Sequence, residues 1–198
     1  VTTRPRDNPF AAGRLAALAY RPASGDPEAL LDRLAAQGRR GALVGPEGHG
    51  KSTLLAELAR RLAGRGLSPR SLTIARDRPL ARGALSRFLA AAGPGVALVV
   101  DGAGHLGRRD RWRLRRAGRH AAALLVSAHH PGLVPTLAVC TTSPALLDEL
   151  VRDLLGSREP PVPLPSSSDL YARHGGNLRT ALLELYDRCA GIRAGMDP

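Results

Sequence analysis

Five short apolar runs punctuate the chain, at 41–45, 71–75, 96–100, 122–127 and 136–140, each about the length of a buried strand. Between them, at 27–37, 52–63, 80–92, 106–117 and 145–155, apolar residues recur at three- and four-residue spacing. That is the period of a helix with one buried face. Alternating strands and helices predict an α/β sandwich around a mostly parallel five-stranded sheet. Asp26 and Pro27 supply an N-cap and first position for the first of these helices, and Gly38 a stop. The connection from Ser127 to Thr136 is short for a parallel crossover, which predicts a last strand that is antiparallel or displaced. Residues 157–168, with four prolines and four serines, read as an extended linker. Two short helices follow, Asp169–His174 and Asn177–Ala190, hinged at Gly175-Gly176. The expected organisation is a core over 1–156, a linker over 157–168 and a helical segment over 169–198, without internal repeats.

Composition fits a folded domain. The 198 residues are 43% hydrophobic and 23% charged, which excludes disordered, collagen-like and disulfide-scaffold classes. No apolar stretch approaches the roughly 20 residues that span a bilayer, so no membrane partner is expected. The first ten residues carry Arg4 and Arg6 with no hydrophobic block behind them, and Cys140 and Cys189 suit reduced thiols. Both features predict a cytoplasmic protein. Net charge is +12, from 29 basic and 17 acidic residues, and of the basic residues only Lys51 is lysine. Abundant Ala, Gly and Pro point to a compositional bias toward Arg, and against that bias one retained lysine is informative.

Lys51 sits in Gly45-Pro46-Glu47-Gly48-His49-Gly50-Lys51-Ser52-Thr53, which satisfies G-x-x-x-x-G-K-[ST]. The segment before it reads as a buried strand and the segment after it as an amphipathic helix. Gly45, Gly48 and Gly50 let the backbone approach phosphate and turn successive N–H groups, that of His49 included, into an anion nest at a helix N-terminus. Lys51 offers a compact charge on a flexible stem for β- and γ-phosphates. Ser52 is placed to ligate Mg²⁺ and Thr53 to touch an α-phosphate. A magnesium ion held this way needs an acid at the end of another buried strand, and Val96-Ala97-Leu98-Val99-Val100-Asp101 provides one.

The loop at 45–52, the strand closing on Asp101, the polar strand end at Ser127 and the segment Gly176-Asn177-Leu178-Arg179 together resemble an additional-strand P-loop ATPase, close to AAA+ proteins. Asn8-Pro9-Phe10 and the Gly-Gly-Asn-Leu-Arg helix also resemble features of short bacterial P-loop ATPase-like proteins. The resemblance implies a three-layer P-loop NTPase fold with a small C-terminal helical lid, and ATP and Mg²⁺ as cofactors. It implies Lys51, Asp101 and Arg179 as the catalytic set, with Arg179 reaching the γ-phosphate from the lid. It further implies Phe10 leading toward the adenine, and Ser127 or His129 reading the γ-phosphate. Two positions depart from the family pattern. Gly102 stands where AAA+ enzymes carry the Glu that orients water, and Gly104 where the short relatives commonly carry an acid. His105 and Asp110 are candidate substitutes. Slow ATP hydrolysis is therefore expected, and two alternatives stand beside it. One is a small-molecule P-loop kinase, which would place Asp101 on the strand adjacent to the P-loop strand; the other is a nucleotide-gated nucleic-acid-binding module without turnover.

Residues 108–119 hold seven Arg and one Asp. Arg109, Trp112 and Arg116 share a helical stripe, and with Arg113 they are candidate contacts for nucleic acid or another polyanion. Trp112 can stack on a guanidinium or on a base. A solvated face, a polyanion contact and an arginine donated to a neighbouring subunit's nucleotide all remain open readings of this helix.

Overall fold

The computed structural model describes residues 7–16 and 25–191; Arg4 and Arg6 lie outside them. In chain order the elements begin α1 (Ala12–Ala16), α2 (Pro27–Ala36), β1 (Arg40–Val44), α3 (Lys51–Gly64), β2 (Ser68–Thr73), α4 (Ala84–Ala90) and β3 (Val96–Asp101). They continue with α5 (Arg108–Gly118), β4 (Ala123–Ala128), β5 (Thr136–Val139), α6 (Pro144–Leu155), α7 (Ser167–Arg173) and α8 (Leu178–Ala190). The chain divides into two units: 24–46 with 50–140, and 1–23 with 47–49 and 141–198.

The first unit is an α/β sandwich on a parallel sheet of order β2-β3-β4-β1-β5. Alternate residues of a strand point to opposite faces, and in β1, β3 and β4 both faces are buried. On one face Ala42, Val44, Leu98, Val100, Leu124 and Val126 join Leu85 of α4 and Leu114 of α5 in a single apolar cluster. The opposite face carries Leu43, Ala97, Val99 and Leu125, each at most 4% exposed. There Gly41 lies so close to Leu34 of α2 that an added Cβ would sit 2.9 Å from its Cδ1. Helix α3 turns Leu54, Leu58 and Leu62 inward and packs on β1 to β4. Strands covered on both sides read as continuous hydrophobic runs, which is why the sequence announces them.

Two sequence expectations require correction. Strand β5 is neither antiparallel nor displaced from the sheet, but runs parallel to β1. The short connection suffices because β5 begins opposite Ala42 and pairs only with the last rungs of β1, so the chain steps back a short way instead of a full strand length. Strand β2 begins at Ser68 and ends at Thr73, earlier than its hydrophobic pattern suggests. Pairing of Ser68 with Val96 sets that start, and Pro69 is tolerated because β2 is an edge strand.

The second unit is helical and has its own core. Phe10 packs with Leu147 and Leu154 of α6, Leu170 of α7, and Leu178, Ala181, Leu182, Leu185 and Cys189 of α8. The division therefore falls after Cys140, not after 156, because α6 buries its apolar stripe in this cluster. The Pro-rich segment also lays Val162 and Leu164 against it. Caps follow local chemistry: Ser143, Ser166 and Asn177 accept hydrogen bonds from the first-turn amides of α6, α7 and α8. Asn8 is fully buried, with Nδ2 donating to the Tyr186 carbonyl at 2.9 Å and Oδ1 accepting from Phe10 N at 3.0 Å.

Candidate nucleotide-binding site

Residues 45–50 link the end of β1, a central strand, to the start of α3. Gly45, Gly48 and Gly50 carry φ of 157°, 74° and 73°, a left-handed path that side chains resist. The first amides of α3 have no intrahelical acceptor and converge at the positive end of the helix dipole. Ser52 and Thr53 are exposed in that first turn. Lys51 Nζ donates to the Gly45 carbonyl at 2.8 Å and to the Pro46 carbonyl at 2.5 Å, so the lysine is folded over its own loop. His49 Nδ1 bonds the Glu47 carbonyl at 2.9 Å, a contact that shapes the turn.

Asp101 closes β3. Its Oδ1 accepts a hydrogen bond from Ser127 Oγ at 2.5 Å, and the same hydroxyl accepts from Gly102 N at 2.8 Å. Ser127, on β4, is 1% exposed. Its hydroxyl donates to Asp101 and so orients that carboxylate. The sequence marks Ser127 as a polar strand end, and the pairing of β3 with β4 brings it beside Asp101. The second carboxylate oxygen of Asp101 has no hydrogen-bond partner among the described residues.

Gly102 has no room for a side chain. Its φ is 79°, and a Cβ there would lie 2.1 Å from the Ile74 carbonyl oxygen. Gly104 differs: the nearest atom to an added Cβ is His129 N at 3.6 Å, an ordinary contact. His105 and His129 are exposed and meet edge to face, with ring centroids 5.6 Å apart. Asp110 pairs with Arg113 at 3.1 Å within α5.

In the helical unit, Asn177 caps α8 through Oδ1, which accepts from Arg179 N at 3.1 Å and Thr180 N at 3.2 Å. Segment 47–49 belongs to the same unit. A Cβ at Gly48 would fall 1.8 Å from Asn177 Oδ1, so the loop tip lies directly on this cap. Arg179 is exposed, and its side chain has no hydrogen bond or ion pair among the described residues. Phe10, by contrast, is 1% exposed within the apolar cluster. Its ring is core, and Asn8-Pro9-Phe10 acts as a staple to α8. Glu184 beside these elements is a hub: burial opposes its ionisation, but hydrogen bonds from His174, Arg188 and Arg173 outweigh that and hold it below the usual carboxylate range.

Among the described residues no group of three or more His, Cys, Asp or Glu could hold a metal ion. A magnesium site built on nucleotide phosphates needs no such cluster, since the ion keeps water and phosphate ligands and takes only one or two from protein. The Ser52 hydroxyl and the unpartnered oxygen of Asp101 are donors of the right kind. No helix among the described residues is long and apolar enough to cross a membrane.

No protein-family profile matches the chain. No curated protein matches it either. Among solved structures, the solution structure of protein NMB1076 from Neisseria meningitidis is similar at 23% identity over 48% of this chain and 60% of that one, with a TM-score of 0.29. The matched region thus spans less than two thirds of that protein, and a likeness this slight carries no argument about function.

Proposed function

We propose that the chain binds ATP with Mg²⁺ at residues 45–53 and hydrolyses it slowly. The observation that carries this reading is the loop itself: three glycines in left-handed conformations between a central parallel strand and a helix N-terminus, with the chain's sole lysine at its end. Sheet order supports it. Strand β4 lies between β1 and β3, the arrangement of additional-strand ATPases, whereas a small-molecule kinase would set the Asp101 strand next to the loop strand.

In this reading the amides of 48–53 bind phosphate oxygens, and Lys51 exchanges two carbonyls for the β- and γ-phosphates. Ser52 and Asp101 hold magnesium, which screens phosphate charge when bound. Ser127 keeps Asp101 in orientation, and Arg179 senses the γ-phosphate from the first turn of α8. A nucleotide-gated module without turnover is the second reading, favoured by the conformation of Gly102, which leaves no room for the usual glutamate.

Calorimetry on Lys51→Ala tests the proposal. A charged hydrogen bond is worth about 1.5–3 kcal/mol, so ATP affinity is expected to fall at least tenfold while the circular dichroism spectrum stays unchanged. Unaltered affinity in the folded variant refutes the site. A turnover assay on the unmodified chain then separates slow hydrolysis from binding alone.

A further inference from the structure

We infer that the solvent face of α5 is a binding surface for single-stranded nucleic acid, with Trp112 stacking on a base and flanking arginines holding phosphates. The charge is not spread evenly. Residues 66–119 contain twelve Arg against three Asp and no Glu, whereas the rest of the chain has 17 basic and 14 acidic residues. A uniform coding bias would not concentrate it so. The fold gathers this segment at one edge of the sheet, because β2 is the edge strand and α4 packs on both β2 and α5.

Within α5 the arginines divide into two sets. Arg111 donates to the Gly104 carbonyl at 2.5 Å, and Arg113 bonds Asp110 and, at 2.8 Å, Ser86 of α4. These two hold the helix in place. The others, Arg108, Arg109, Arg115, Arg116 and Arg119, are exposed and have no hydrogen bond or ion pair among the described residues. They fall four and three residues before Trp112, and three, four and seven after it, which puts all five on its side of the helix. Several arginines elsewhere are engaged by acids: Arg60 and Arg61 by Glu57, Arg173 and Arg188 by Glu184. The stripe on α5 is thus cationic, and the one acid of the helix, Asp110, is paired with Arg113.

Trp112, the only tryptophan of the chain, is 63% exposed in the middle of this stripe. The Arg116 guanidinium lies 5.9 Å from its ring centroid. Beside the ring, Arg109, Asp110 and Arg113 complete an open depression. An aromatic ring left in water forgoes the burial that makes such residues valuable in a core. An exposed ring between phosphate-seeking cations matches a strand whose bases are unpaired and able to stack. In a duplex the base faces are covered, so charge complementarity alone would remain.

Trp112 is its own reporter. Titrating the chain with dT20, without ATP, is expected to quench tryptophan fluorescence and to give an affinity that falls with salt at about −0.7 in log-log slope per phosphate contacted. Arg109→Ala/Arg115→Ala/Arg116→Ala together should flatten the slope by about 2. A control removing equal charge, Arg33→Ala/Arg60→Ala/Arg158→Ala, should leave it unchanged. Trp112→Ala, followed by anisotropy of labelled dT20, should weaken binding at least fivefold at every salt concentration, the loss expected of one stacked base. Thermal unfolding midpoints verify that these surface variants are folded. Equal slopes in the two triple variants would show that net charge alone is responsible and overturn the inference. So would binding without quenching, or a 20-base-pair duplex bound as tightly as dT20. Failure here leaves the nucleotide site untouched, since neither triple variant nor Trp112→Ala changes residues 45–53.

Discussion

Gly102→Ala measures how tightly the fold constrains the position after Asp101. At φ 79° a residue with a Cβ costs about 1–2 kcal/mol. The Cβ would also sit 2.1 Å from the Ile74 carbonyl oxygen, so one of the two backbones must move by about 1 Å. Ile74 cannot give way freely, because its N–H donates to the Asp101 carbonyl at 2.8 Å and ties it to β3. Overpacking of this kind costs about 1–3 kcal/mol. Together the terms predict a loss of about 2–5 kcal/mol, and for a chain of this size about 2–4 °C in midpoint per kcal/mol. Gly104→Ala is the control. Its φ is outside the left-handed region and its nearest neighbour is 3.6 Å away, so its effect should stay within about 0.5 kcal/mol. Urea unfolding followed by circular dichroism reads both. The functional corollary is that Gly102→Glu does not restore fast hydrolysis, because the same Cβ must be accommodated before the carboxylate can be placed. A Gly102→Ala midpoint equal to wild type, or a folded Gly102→Glu that turns ATP over rapidly, would refute the reasoning.

Three further outcomes are expected. Arg179→Ala should lower affinity for ATP more than for ADP, by up to the roughly 1.5–3 kcal/mol of a charged hydrogen bond, since an arginine that reaches a γ-phosphate contributes only when that phosphate is present; equal losses by calorimetry reduce Arg179 to a surface residue. Asp101→Asn keeps an oxygen for Ser127 but removes charge, so ATP titrations with and without Mg²⁺ should converge, and an unaltered magnesium effect makes Asp101 only a strand end. The Arg60 and Arg61 hydrogen bonds lower the Glu57 pKa from 4.5 to about 2, so its contribution is present in full above pH 4.5 and is lost as pH falls toward 2. The stability difference between wild type and Glu57→Gln should accordingly be constant near neutrality and shrink across that window, and a difference independent of pH down to 2 removes the ion pair from the account.

The sequence alone determined what depends on local pattern. Continuous apolar runs marked β1, β3 and β4 because both faces of these strands are buried, and Asp26 and the loop around Lys51 were legible because caps and glycine turns are settled by residues a few positions apart. Tertiary structure decided whatever depends on which segments meet. The direction of β5 followed from how far up β1 it pairs, and the early start of β2 from its register with β3. Ser127 acquired its role only when β4 settled beside β3 and brought its hydroxyl to Asp101 and Gly102. Phe10 has the composition of a ligand-facing aromatic and the position of a core residue, a distinction that rests on α6, α7 and α8 closing around it. That position 102 is glycine was visible from the start, but its close approach to the Ile74 carbonyl, far off in sequence, is made only after the strands align. Patterns of period two and three to four residues report the face a residue takes within its own element; a neighbour from another element is set by packing, which no local period encodes.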